Sequence, residues 1–115
     1  MAEDKSTAHY HKLFDSLAAA EQALPLGKPQ KLWVVGRPEA ICLVRNQKGI
    51  FAVADVCPHL GESLSKGTTN YLNEVVCPWH SYRFSLINGQ ECNNRSAHLK
   101  TFKVELLPDG VYLQL

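Results

Sequence analysis

With 115 residues, 45% of them hydrophobic and 20% charged, the chain is long enough for one modest core and too short for two. A formal net charge of +1, with its Lys and Arg scattered from Lys5 to Lys103, excludes the basic stripe that a phosphate backbone rewards, so no nucleic acid is expected as a partner. The longest apolar runs, 41–44 and 50–54, fall far short of the roughly 20 residues of a membrane-spanning helix, and the mixed-charge start Met1-Ala2-Glu3-Asp4-Lys5-Ser6 leads into no apolar segment or cleavage site, so neither a membrane span nor a secretory signal is expected and the cytoplasm is the default compartment.

Residues 1–11 are polar and without period, and they read as a flexible tail ahead of a single domain over 12–115. His9 and His11, one residue apart in that tail with no third ligand nearby, read as solvated rather than metal-binding. The Ala-rich stretch 15–24 predicts one short helix, capped by Asp15 or Ser16 and stopped by Pro25 and Gly27. Beyond it the texture turns β-branched and apolar, predicting strands over 31–35, 40–45, 50–55, 74–76, 83–87, 99–107 and 111–115. Turn chemistry at Asn46-Gln47-Lys48-Gly49, Asn88-Gly89 and Pro108-Asp109-Gly110 implies antiparallel hairpins. With too little helix left for parallel crossovers, the expected fold is all-β, an antiparallel sandwich or small barrel with one short N-terminal helix.

Four cysteines in a chain without an export signal favour metal or free-thiol roles over disulfides. Cys42, within an apolar strand, reads as a buried thiol and Cys92 as a loop cysteine. The other two lie in Cys57-Pro58-His59-Leu60-Gly61 and Cys77-Pro78-Trp79-His80, each pairing a thiol with an imidazole directly after a predicted strand. Rigid strands can aim two such loops at one point, and Pro58 and Pro78 stiffen each loop just past its cysteine. A single zinc accepts two Cys and two His, but its usual spacing groups like with like. One Cys and one His in each loop suits a binuclear site better, since each loop then gives one ligand to each metal.

Cys57-x-His59, followed after the seventeen residues 60–76 by Cys77-x-x-His80, resembles the Rieske family signature. His59-Leu60-Gly61 is similar to the family's first ligand loop, and Phe84 stands where the family places an aromatic. The resemblance implies a 2Fe-2S cluster bound by Cys57, His59, Cys77 and His80 in a subdomain of two ligand loops, and single-electron transfer without a catalytic step. In the cytochrome bc branch an extra cysteine in each loop forms a clamping disulfide. Those positions here are Glu62 and Trp79, so the chain resembles the disulfide-free branch of ferredoxins serving oxygenases and small subunits of nitrite reductases.

High-potential members also carry serine and tyrosine hydroxyls at the positions of Tyr82 and Phe84, and their loss implies a potential near the low end of the Rieske range. Two departures stand out. Ser81 replaces a common glycine, and the segment 93–98 lacks the prolines that cover the cluster, with His98 read as a surface histidine. The resemblance implies a carrier between a flavin reductase and a terminal oxygenase. The alternatives are a subunit of a larger reductase such as NAD(P)H nitrite reductase, and a structural zinc module that binds a protein partner.

Overall fold

The computed structural model describes residues 10–115. Strand β1 (Tyr10–Phe14) leads through a short bend into helix α1 (Leu17–Ala23), whose cap is Ser16: its hydroxyl accepts the Ala19 N–H at 3.0 Å. Eight further strands follow, β2 (Gln30–Leu32), β3 (Ile41–Asn46), β4 (Gly49–Ala54), β5 (Thr68–Thr69), β6 (Glu74–Val76), β7 (Arg83–Ser85), β8 (Thr101–Leu107) and β9 (Gly110–Gln114). Six of these nine strands form one sheet in the order β1-β9-β8-β4-β3-β2, and β5-β6-β7 form a second, with every strand pair antiparallel. The expected antiparallel all-β fold with one short helix is what the chain adopts.

Two of the three expected hairpins form; the third turn, at Asn88-Gly89, folds the chain back only as far as an isolated bridge between Phe84 and Glu91, because β8 pairs with β4 and β9 rather than with β7. Gln47 and Lys48 link β3 to β4, with the Asn46 side chain accepting the Lys48 N–H at 2.8 Å, and Pro108 and Asp109 link β8 to β9. Strand β3 is buried on both faces and therefore reads as a continuous apolar run. Ile41 and Leu43 enter one core cluster with Leu24, Ala52 and Leu113, while Cys42 and Val44 enter another with Val53, Leu64, Val75, Phe84, Leu86 and Leu99. That second cluster also contains Cys57 and Cys77, so both thiols belong to the interface between the two sheets.

Three expectations change. Tyr10 and His11, placed in the flexible tail, belong to β1 and pair with Gln114 and Leu113 of β9, while His9 lies outside the described residues. Strand β2 ends at Leu32, because Gly36 adopts a φ of +89° and the Arg37 N–H closes a turn onto Val34. Trp33 and Val35 are left exposed in that turn. The two-residue β5 carries too few positions to show a period, and it was not foreseen.

A 3-10 turn (Leu64–Lys66) joins the first ligand loop to β5, and it ends at Gly67, where a Cβ would meet the Val76 carbonyl oxygen at 2.0 Å. Only glycine allows the backbone this near to β6, the strand that carries Cys77 on its end. Gly67→Ala is expected to lower stability by about 2 kcal/mol or more, read as a fall in the denaturant midpoint with an unchanged slope.

Candidate metal centre

The first ligand loop leaves β4 through Asp55, whose side chain is buried beneath it. Asp55 accepts the Ser65 N–H at 2.5 Å, the Ser65 hydroxyl at 3.0 Å and the Ser63 hydroxyl, with Lys31 Nζ at 3.7 Å. These bonds hold the far end of the loop against the strand it left. Inside it, the Gly61 N–H donates to the Cys57 carbonyl at 2.8 Å and the Cys57 N–H to the Glu62 carbonyl at 2.9 Å. Gly61 completes that closure at a φ of +82°, a conformation that costs glycine nothing.

The second loop is the tip of the β6–β7 hairpin, shut by the Cys77 N–H donating to the Tyr82 carbonyl at 2.8 Å. His80 and Ser81 follow one another in the left-handed region, at φ +63° and +55°. Residues with a Cβ are strained there, which explains why glycine is the easier choice at position 81.

The structure brings the sequence-predicted residues together as two pairs, thiol beside thiol and imidazole beside imidazole. Cys57 and Cys77 are each 1% exposed and both are free. Burial, reinforced by Cys57, pushes the Cys77 thiol up to about 11, while a hydrogen bond from the Trp79 backbone pulls it the other way. Loading a metal there must therefore displace thiol protons. The His59 and His80 rings sit edge to face with centroids 5.2 Å apart. His59 Nδ1 is buried without a hydrogen-bond partner, a costly state for a ring nitrogen unless something else binds it. Paired free thiols and a buried orphan imidazole nitrogen fit a thiolate and imidazole donor set. Among the described residues no three His, Cys, Asp or Glu side chains converge on a single-ion site. A two-metal group of this kind takes two donors on each metal.

The remaining thiols stay apart. Burial, then the charge of Asp55, pushes Cys42 up to about 12, which makes it an inert core residue. Cys92 lies beside Arg83 and Glu91, and His98 is exposed.

Three features escaped sequence reasoning. Asp55 is one. Tyr82, noted only for its position, stacks on His59 with centroids 3.8 Å apart and planes 7° from parallel. Glu91 is fully buried and binds Arg95, whose guanidinium lies 3.8 Å from the Tyr82 ring centre. The side that lacks prolines is thus covered by an arginine on a tyrosine. Glu91 and Arg95 are four apart, but in a non-helical segment that spacing carries no signal.

Asp55→Ala strips the acceptor from one backbone and two hydroxyl donors, and about 2–4 kcal/mol of stability should go with it, measured by thermal unfolding of the metal-free protein. Ser81→Gly relieves one left-handed residue and should raise stability by up to about 1 kcal/mol in the same assay.

The Rieske [2Fe-2S] domain family matches residues 16–103. The chain is 35% identical over 75 residues to the carnitine monooxygenase oxygenase subunit of Escherichia coli strain K12, covering 61% of this chain but only 20% of that subunit. It is 29% identical over 72 residues to the ferredoxin component of the alkene monooxygenase system of Xanthobacter autotrophicus, covering 63% of this chain and 58% of that component. Among solved structures, a Mycobacterium tuberculosis chain assigned as an NADH-dependent nitrite reductase small subunit superposes with a TM-score of 0.78 at 17% identity, over 94% of this chain and 96% of that one. This chain spans about a fifth of the length of the first of these relatives. Mixed thiol and imidazole loops closed on one another, within a matched stretch that holds both, have one reading: the chain belongs to the Rieske 2Fe-2S domain family.

Proposed function

We propose that Cys57 and Cys77 hold one iron and His59 and His80 the other, and that the chain carries single electrons from a flavin reductase to a terminal oxygenase. The observation that carries this reading is the division of the site. Its two thiols are sealed in the core, its two imidazoles lie toward the surface, and His59 keeps Nδ1 turned into the protein. When bound, the cluster supplies a one-electron couple that is easier to reduce than an all-cysteine centre, because two imidazoles are neutral. The chain excludes water from the thiolates and leaves the imidazole edge open to a partner.

Leu60 and Trp79, each about half exposed, flank that edge and give it an apolar docking rim. Two sequence relatives belong to oxygenase systems, one as the oxygenase subunit and one as a ferredoxin, which favours delivery to an oxygenase. The likeness to the nitrite reductase small subunit, at 17% identity, is one of fold. The subunit reading would gain if the chain purified in a tight complex with a flavoprotein or sirohaem enzyme. Structural zinc is disfavoured by the mixed loops and the absence, among the described residues, of three donors on one point.

Among the described residues no hydroxyl donates to the Cys57 or Cys77 sulfur. Phe84 is buried in the core with no polar atom, and the Tyr82 ring lies flat on His59 with its hydroxyl bonded to neither cysteine. Electron paramagnetic resonance of the dithionite-reduced protein should give a Rieske-type signal with a midpoint of about −150 mV. A midpoint above about +100 mV would overturn the hydrogen-bond argument. Fully metallated protein that is colourless and free of acid-labile sulfide would overturn the ligand set.

A further inference from the structure

We propose that Tyr82, Arg95 and Glu91 form a stacked column that orients the His59 imidazole and whose balanced charges hold the reduction potential of the centre it serves against a shift in either direction. The proposal rests on His59 being an iron ligand and adds a device behind it.

Tyr82 lies parallel to His59 at stacking distance, and the Arg95 guanidinium stands equally near the Tyr82 ring centre. Two planar groups cannot share one face of a ring at that distance, so His59 and Arg95 occupy opposite faces of the phenol. The cation draws the phenol's π density toward itself, and the ring presses on the imidazole, fixing the plane in which Nδ1 points inward.

Arg95 does not wander on the surface. Its Nη2 and Nε donate to Glu91 at 2.7 and 3.2 Å. Glu91 in turn accepts the backbone N–H groups of Asn93 at 3.1 Å and Arg95 at 2.7 Å. The backbone sets this anchor: Glu91 bridges to Phe84 in β7, and the Cys92 N–H donates to the Arg83 carbonyl at 2.9 Å. The segment that carries Arg95 is thereby stitched to the hairpin that carries Cys77 and His80. Arginine-bound Glu91 is held down to about 2, so both ends of the pair are charged at neutral pH.

Reduction adds one negative charge close to this pair. While both partners are present their fields largely cancel, and removing one exposes the other. Arg95→Gln leaves the Glu91 carboxylate uncompensated and disfavours the added electron. Glu91→Gln leaves the guanidinium uncompensated and favours it. A pair that served folding alone would move the potential in neither sense, or in the same sense for both variants.

The test is a redox titration of the cluster-loaded protein followed by electron paramagnetic resonance. The midpoint should fall in Arg95→Gln, rise in Glu91→Gln and stay near the original in Arg95→Lys, which keeps the charge and loses the planar stack. Tyr82→Phe should keep the signal shape and midpoint, whereas Tyr82→Leu should broaden or shift the signal as the imidazole gains freedom. If Glu91→Gln fails to fold, Arg95→Gln against Arg95→Lys still decides: equal midpoints overturn the electrostatic role. An unaltered signal in Tyr82→Leu overturns the orienting role. Absence of a Rieske-type signal from the unaltered protein removes the ligand set, and this proposal with it. An intact signal that no variant moves overturns this proposal alone.

Discussion

Each ligand loop is shut at its own cysteine. The Cys57 amide donates across the first loop to Glu62, and the Cys77 amide donates across the second to Tyr82. Because the bond is made at the residue that also offers the sulfur, the thiol cannot drift without opening the loop, and the histidine two or three residues on is carried with it. The two closures face each other across the core cluster shared by the two sheets. Sealed sulfurs and rimward imidazoles both follow from that arrangement.

No disulfide joins the loops, and a different set of bonds takes its place. Asp55 ties the first loop back to the strand it leaves, and through Lys31 to β2, two strands away across the sheet. The second loop needs no such tie, since a hairpin tip is held by its own ladder. Bonds of this kind persist in a reducing compartment, where a cystine would open.

The sheet and the four candidate ligands were legible in the sequence because their signals are short-range. The unbroken apolar run of β3, turn residues between β3 and β4 and between β8 and β9, and two Cys/His pairs each announce themselves within a few positions. What stayed hidden depends on contacts remote in sequence. Tyr10 and His11 become a strand only because β9 lies beside them, more than a hundred positions later. Tyr82 finds His59 across both loops, and Asp55 is an unremarkable acid until Ser63 and Ser65 curl back over it. Glu91 is fully buried. Its sequence shows no reason for burial, because the partner that neutralises it reaches over from an irregular segment.

The family match ends at residue 103, so β9 and most of β8 lie outside it, and β1 precedes its start at residue 16. Yet β1 is what covers the outer edge of β9. Cut the polypeptide back to the matched boundaries and the molecule loses its seam. The stub of β8 would keep its pairing with β4 through Thr101 and Phe102 but lose β9 on its other side, and that open edge would invite a second molecule to zip alongside. Tags or fusions are accordingly better joined ahead of Tyr10 than at the start of the matched segment.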